Sequence, residues 1–130
     1  MNNIGRVAAA CLALTGGIAG AAETGAELFQ ENCAACHGAY AEGDGPATAA
    51  LAVPVPDLTT LAARHGGRYP ADSVRAVVDG RNVPAAHGSR SMPIWGTEFW
   101  LEGGADDEAT RKAASRIQTL VDYLETLQGG

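Results

Sequence analysis

Cys33, Ala34, Ala35, Cys36 and His37 stand together in a chain whose one other cysteine is Cys11. On a helical turn, positions i and i+3 turn both sulfurs to the same side, and the next residue brings an imidazole beside them. A chain that gathers these three groups on one turn must fold around whatever they hold. Composition gives this weight. Aromatic residues make up 5% of the 130 residues, and the apolar share reaches 46% with alanine counted, so side chains alone supply little bulk for a core. One domain of this length buries a modest single core, and a large apolar group would fill the deficit.

C-x-x-C-H is the signature of covalent haem attachment: two thioethers to the vinyl groups, and an imidazole under the iron. Three other readings fit less well. A thioredoxin-like redox pair needs a βαβ setting, and the sequence has no strand pattern. A structural zinc site needs four ligands, yet His65 and His87 stand 22 residues apart with no second cysteine pair. A disulfide between Cys33 and Cys36 would close too small a loop to stabilise much.

Export agrees with haem, because bacteria attach it outside the cytoplasm. Residues 1–21 have the layout of a cleaved signal peptide: Arg6, an apolar run from Val7 to about Ala19, then small residues, with cleavage expected near Ala21 or Ala22. A retained membrane anchor is the alternative, weakened by Gly16, Gly17 and Gly20. A lipoprotein reading at Cys11 has few apolar residues before it. Residues 22–130 form the single expected domain, periplasmic, monomeric and without a membrane span. Losing Arg6 leaves eight basic residues against fifteen acidic ones, a balance of −7. Nucleic acid is therefore excluded as a partner, and a docking partner is expected to present a basic patch.

Along the chain, TGAELFQENCAACHG reads as a helix with Thr24 as N-cap, Glu27 as its capping-box partner, and Gly38 as the stop. Phe29, Cys33 and Cys36 share one face. The Gly- and Pro-rich stretch after it reads as a loop, a short turn near Ala49 to Leu51, an extended VPVP segment, and a short helix from Asp57 to about Arg64. Next comes a second definite helix, with Pro70 at its first position, Val74, Val77 and Val78 as its apolar stripe, and Gly80 as its αL cap. Asn82 to Gly104 shows no periodicity and reads as a long ordered loop holding His87, Met92 and both tryptophans. The last helix starts with three acids and lines Ile117, Leu120, Val121, Leu124 and Leu127 on one face.

A six-coordinate iron needs a second axial ligand, and Met92 is the one methionine left after the leader. It precedes Pro93, which biases its backbone to an extended form suited to holding a side chain toward a metal. A lone methionine is ordinarily core filler, but the loop setting and the CAACH partner favour Met92 over its rivals His87 and His65. Met/His ligation raises the reduction potential relative to other ligand pairs.

Taken in order, GAELFQENCAACHG, GDGPATAALAVPVPDLT, the RYP…VVDGR helix, HGSRSMPIWG and a closing helix with VDYL resemble the class I c-type cytochromes, specifically the small bacterial periplasmic ones, over nearly all of residues 24–128. The resemblance implies an all-α cytochrome c fold: crossing N- and C-terminal helices, and three to five helices around one covalently bound haem c. It implies thioethers at Cys33 and Cys36, and His37 and Met92 as axial iron ligands. It also implies that Pro46 offers its carbonyl to the ligand histidine. Phe29 and Tyr123 match the aromatic contact where the end helices cross. Trp95 is expected at the haem edge or on a propionate, with a plain core role as the alternative. Arg68 and Arg90 are candidates to pair with propionates. The implied function is a one-electron carrier that transforms no substrate, hence not an enzyme. The alternative is a haem subunit, or dedicated electron acceptor or donor, of a periplasmic dehydrogenase or terminal oxidase complex.

Overall fold

The computed structural model describes residues 22–81 and 92–129, and its regular structure is all helical. The proposed leader, His87 and Arg90 lie outside the described residues. Six α-helices occur among those described: α1 Gly25–Asn32, α2 Ala34–His37, α3 Leu61–Arg64, α4 Ala71–Asp79, α5 Trp95–Glu102 and α6 Asp107–Thr126, with a 3₁₀ turn at Pro46–Ala50. Two of them are single turns, and α5 has no counterpart in the sequence reading. The all-α fold class holds, with a higher helix count.

Helix α1 begins where the sequence places it. Thr24 Oγ1 accepts from the Glu27 amide at 3.2 Å, and the Glu27 carboxylate accepts from the Thr24 amide at 2.8 Å. The expected single helix through His37 instead divides at Cys33, whose φ of −119° departs from helical geometry. Helix α2 ends at His37 with Gly38 as its cap, as expected, and the Gly-rich loop behind the motif secures that end. Gly43 N–H donates to His37 O at 2.8 Å and Gly45 N–H to Cys36 O at 3.1 Å, so this loop takes up carbonyls that a continuing helix would have used.

Helix α6 is the spine. It packs against α1, α4 and α5. Its buried face is Ala109, Ala113, Ile117, Leu120, Val121 and Leu124: the expected stripe gains two alanines and loses Leu127, which is half-buried at the C-cap. Against α1 the approach is very close: a Cβ on Gly25 would meet Tyr123 Cβ at 2.5 Å and Thr119 O at 2.6 Å. Phe29 and Tyr123 meet at this crossing with ring centroids 5.8 Å apart, as the family resemblance implies. From the middle of α6, Arg116 lays its guanidinium 3.9 Å from the centroid of the Phe99 ring and bonds Glu23 at 2.9 Å and Glu102 at 2.7 Å. This cation joins α6 to α5 and to the segment before α1.

The segment read as a long ordered loop contains α5. Phe99 is buried and stands one turn from Trp95, with ring centroids 5.6 Å apart, while Ile94 and Leu101 are exposed. Apolar residues therefore surround the helix, and no 3.6-residue stripe marks it. Helix α3 is shorter than expected. The Asp57 carboxylate accepts from Thr59 N at 2.8 Å and from Thr59 Oγ1 at 2.6 Å, a local turn that occupies the chain where the helix was expected to start. Helix α4 runs as expected to Gly80 in the αL conformation, although Pro70 is its N-cap rather than its first residue. Tyr69 Oη donates to Val121 O at 2.9 Å, fixing the start of α4 to α6. No helix among the described residues is long and apolar enough to cross a membrane.

Candidate functional site

Between α1–α2, the extended 51–58 strap, α4 and the chain entering α5 lies a cavity of about 560 Å³. This is a volume typical of cofactor and ligand sites, which span roughly 300–1,000 Å³. Cys33, Cys36 and His37 line it, and so do Met92 and Trp95. The fold thus brings to one cavity residues that lie about sixty apart in sequence. Its remaining walls are largely aliphatic, with Val55, Leu58, Val74, Val78 and Leu124 among them.

His37 is 9% exposed, the one buried polar or charged side chain among the described residues. Its Nδ1 lies 3.2 Å from Pro56 O. A carbonyl can only accept, so Nδ1 carries the hydrogen and Nε2 is left bare. Burial lowers the His37 pKa, opposed in part by the Pro56 bond. Both observations describe a neutral imidazole with a free nitrogen, the form that ligates a metal.

The partner of that bond is Pro56, and the expectation for Pro46 is corrected. Pro46 is exposed and opens the 3₁₀ turn, and it does not line the cavity. The loop before it is occupied in capping α2, whereas Pro56 ends an extended VPVP run in which no helix or sheet claims the carbonyls. An extended, proline-bearing strap is a source of free acceptors, a mark the sequence carries for the whole VPVP run and not for Pro56 in particular.

Cys33 and Cys36 are free thiols. Burial, and secondarily Cys36, pushes the Cys33 pKa up to about 12. A thiol held neutral to that degree is a poor nucleophile for disulfide exchange. Among the described residues no three His, Cys, Asp or Glu side chains converge as a metal cage would require. Two cysteine sulfurs and a bare imidazole nitrogen opening on an apolar cavity fit a large, flat, apolar macrocycle with a central metal.

Other expected residues are placed less centrally. Trp95 lines the cavity and packs against Phe99. His65 also reaches the cavity, but it is exposed, and its Nδ1 lies 2.8 Å from Leu61 O in its own turn. Arg68 is exposed and does not line the cavity.

The family model described as cytochrome c matches residues 22–128. Over 112 residues, 86% of this chain, the sequence is 33% identical to the cbb3-type cytochrome c oxidase subunit CcoP of Azospirillum brasilense. The chain spans 30% of the length of that relative. No solved structure matches the chain. With the family match covering the whole described fold, and a cavity suited to its cofactor, the chain belongs to the cytochrome c family, the haem electron-transfer proteins whose iron porphyrin, haem c, is covalently bound.

Proposed function

We propose that this protein is an exported, periplasmic one-electron carrier, with thioethers at Cys33 and Cys36 and with His37 and Met92 as axial ligands. The observation that carries the reading is one apolar cavity whose walls include all four side chains. Bound there, haem c supplies a ferric/ferrous couple that changes charge by one without transforming a substrate. The residues hold that couple in place. His37 presents Nε2 because Pro56 occupies Nδ1, and the aliphatic walls exclude water, keeping the local dielectric low.

Electron exchange takes place at the open side of the cavity. Its rim residues Val53 and Val77 are 50% and 51% exposed, an apolar margin for brief contact with a redox partner. The net acidity favours a partner with a basic patch, and association weakens with added salt. The identity with CcoP favours a second reading, in which the chain is a haem subunit or dedicated electron partner of a terminal oxidase complex. Co-purification with a larger catalytic chain selects the second reading, whereas a free monomer in the periplasmic fraction selects the first.

Replacing Met92 tests the ligand set. Met92→Ala should keep covalent haem, lose the far-red ferric band of methionine ligation, and bind carbon monoxide rapidly in the ferrous state. Rapid carbon monoxide binding by the unmodified protein would sink the assignment of Met92.

A further inference from the structure

We propose that Gln128, beyond the end of the last helix, is a positioning residue for the proximal ligand His37. The inference rests on the ligation reading above and deepens it. The carbonyl that orients His37 belongs to Pro56, in a strap that is neither helix nor sheet until α3 begins at Leu61. Pro54 and Pro56 stiffen the strap locally, but with no ladder its place relative to His37 must be fixed by contacts from outside it.

Gln128 supplies three bonds, two of them to residues 66 and 70 positions away. Its Oε1 accepts from Ala62 N–H at 2.9 Å, and its Nε2 donates to Leu58 O at 2.9 Å and to Leu124 O at 2.7 Å. Both amide hydrogens and the amide oxygen are thus engaged, and the third bond ties the side chain back to α6. Next to it, Gly129 N–H donates to Thr59 O at 3.2 Å. On the strap's other side Leu58 N–H donates to Ala41 O at 2.7 Å. Leu58 is therefore gripped at its carbonyl from the end of α6 and at its amide from the loop after α2, two residues from the Pro56 carbonyl. The longest helix of the described fold thereby sets where His37 Nδ1–H finds its acceptor.

Gln128→Glu is the sharpest variant, being isosteric but turning a carboxylate oxygen toward two carbonyl oxygens that had received N–H bonds. Gln128→Met keeps length and packing without polar contacts, and serves if the glutamate variant does not fold. Arg116→Gln is the control: it breaks the ion pairs to Glu23 and Glu102 without touching the strap. In ferrous holoprotein, hydrogen exchange at His37 Nδ1 is followed by NMR, alongside the reduction potential and the urea midpoint. The Gln128 variants should speed that exchange about three- to tenfold, the range commanded by one net hydrogen bond. The potential should rise as His37 becomes a less basic ligand. Arg116→Gln should lower the urea midpoint and leave both other readouts unchanged. Exchange and potential at wild-type values in the Gln128 variants overturn the proposal. The wild-type spectrum judges the ligation reading separately: a His37 ring without the strong upfield shift of a haem-bound imidazole overturns that reading before any variant is compared.

Discussion

Gly96 lies inside α5, where helix propensity alone would favour alanine by about 1 kcal/mol. The structure reverses that preference. A Cβ there would lie 2.8 Å from the Asp79 carbonyl and 2.7 Å from Arg81 Nε, and would collide with the Asp79 carboxylate. The carboxylate can turn away at the cost of its 2.6 Å pair with Arg81, but a backbone carbonyl cannot. Overpacking of this kind costs about 1–3 kcal/mol, which exceeds the propensity gain. Gly96→Ala should therefore lower the urea midpoint of the holoprotein, and an unchanged or raised midpoint would show that α4 and α5 separate freely. Because Met92 stands just ahead of α5, the same variant should weaken the far-red ferric band if Met92 ligates the iron. Pro46 opens the 3₁₀ turn and Pro56 precedes the turn at Asp57, and only the three-dimensional path reveals which carbonyl passes His37.

Helix α1 shows how an element written plainly in the sequence yields a pH-dependent contribution. Thr24 and Glu27 close a reciprocal cap, and the bonds from the Thr24 amide and hydroxyl lower the Glu27 pKa. A folded-state pKa below the unfolded one means that the cap's contribution is present above the unfolded value, about 4.3, and is lost as pH falls through the lower folded value. Thr24→Ala should cost about 1 kcal/mol near neutral pH by urea unfolding. In acid the gap between Thr24→Ala and the wild type should narrow. Glu27→Gln should flatten that pH dependence, and an equal gap at both pH values would refute the carboxylate's share in the cap. By contrast, α5 was invisible because tryptophan, phenylalanine and leucine surround it and no capping side chain announces its start. Its helicity comes from packing against α6, and propensity is a weak guide where tertiary contact decides.

Across the whole molecule, the buried side chains divide unevenly. Phe29, Leu28, Phe99, Ile117, Leu120 and Val121 belong to α1, α5 and α6 and bury one another. The strap, α3 and much of α4 instead face the cavity, where a bound cofactor would complete their core. A Cys33→Ala/Cys36→Ala variant isolated without haem should therefore keep amide protection in α1, α5 and α6 and lose it in residues 51–65 and 70–78. Hydrogen exchange read by mass spectrometry checks this, and uniform protection matching the holoprotein would mean that the walls stand without the cofactor. The cofactor class, the start of the first helix and the buried face of the last were legible in the unfolded string of residues by local rules: a fixed cysteine spacing, a capping box, a 3.6-residue stripe. The all-α cytochrome c fold and the crossing of Phe29 with Tyr123 were legible through the family resemblance of the ordered motifs. Three features required the folded chain: which proline serves His37, where α5 forms, and that Gln128 and Gly129, just past α6, hold the strap. Each of those depends on contacts between segments tens of residues apart, and a carbonyl in an extended strap has no sequence mark to say which ring it will meet.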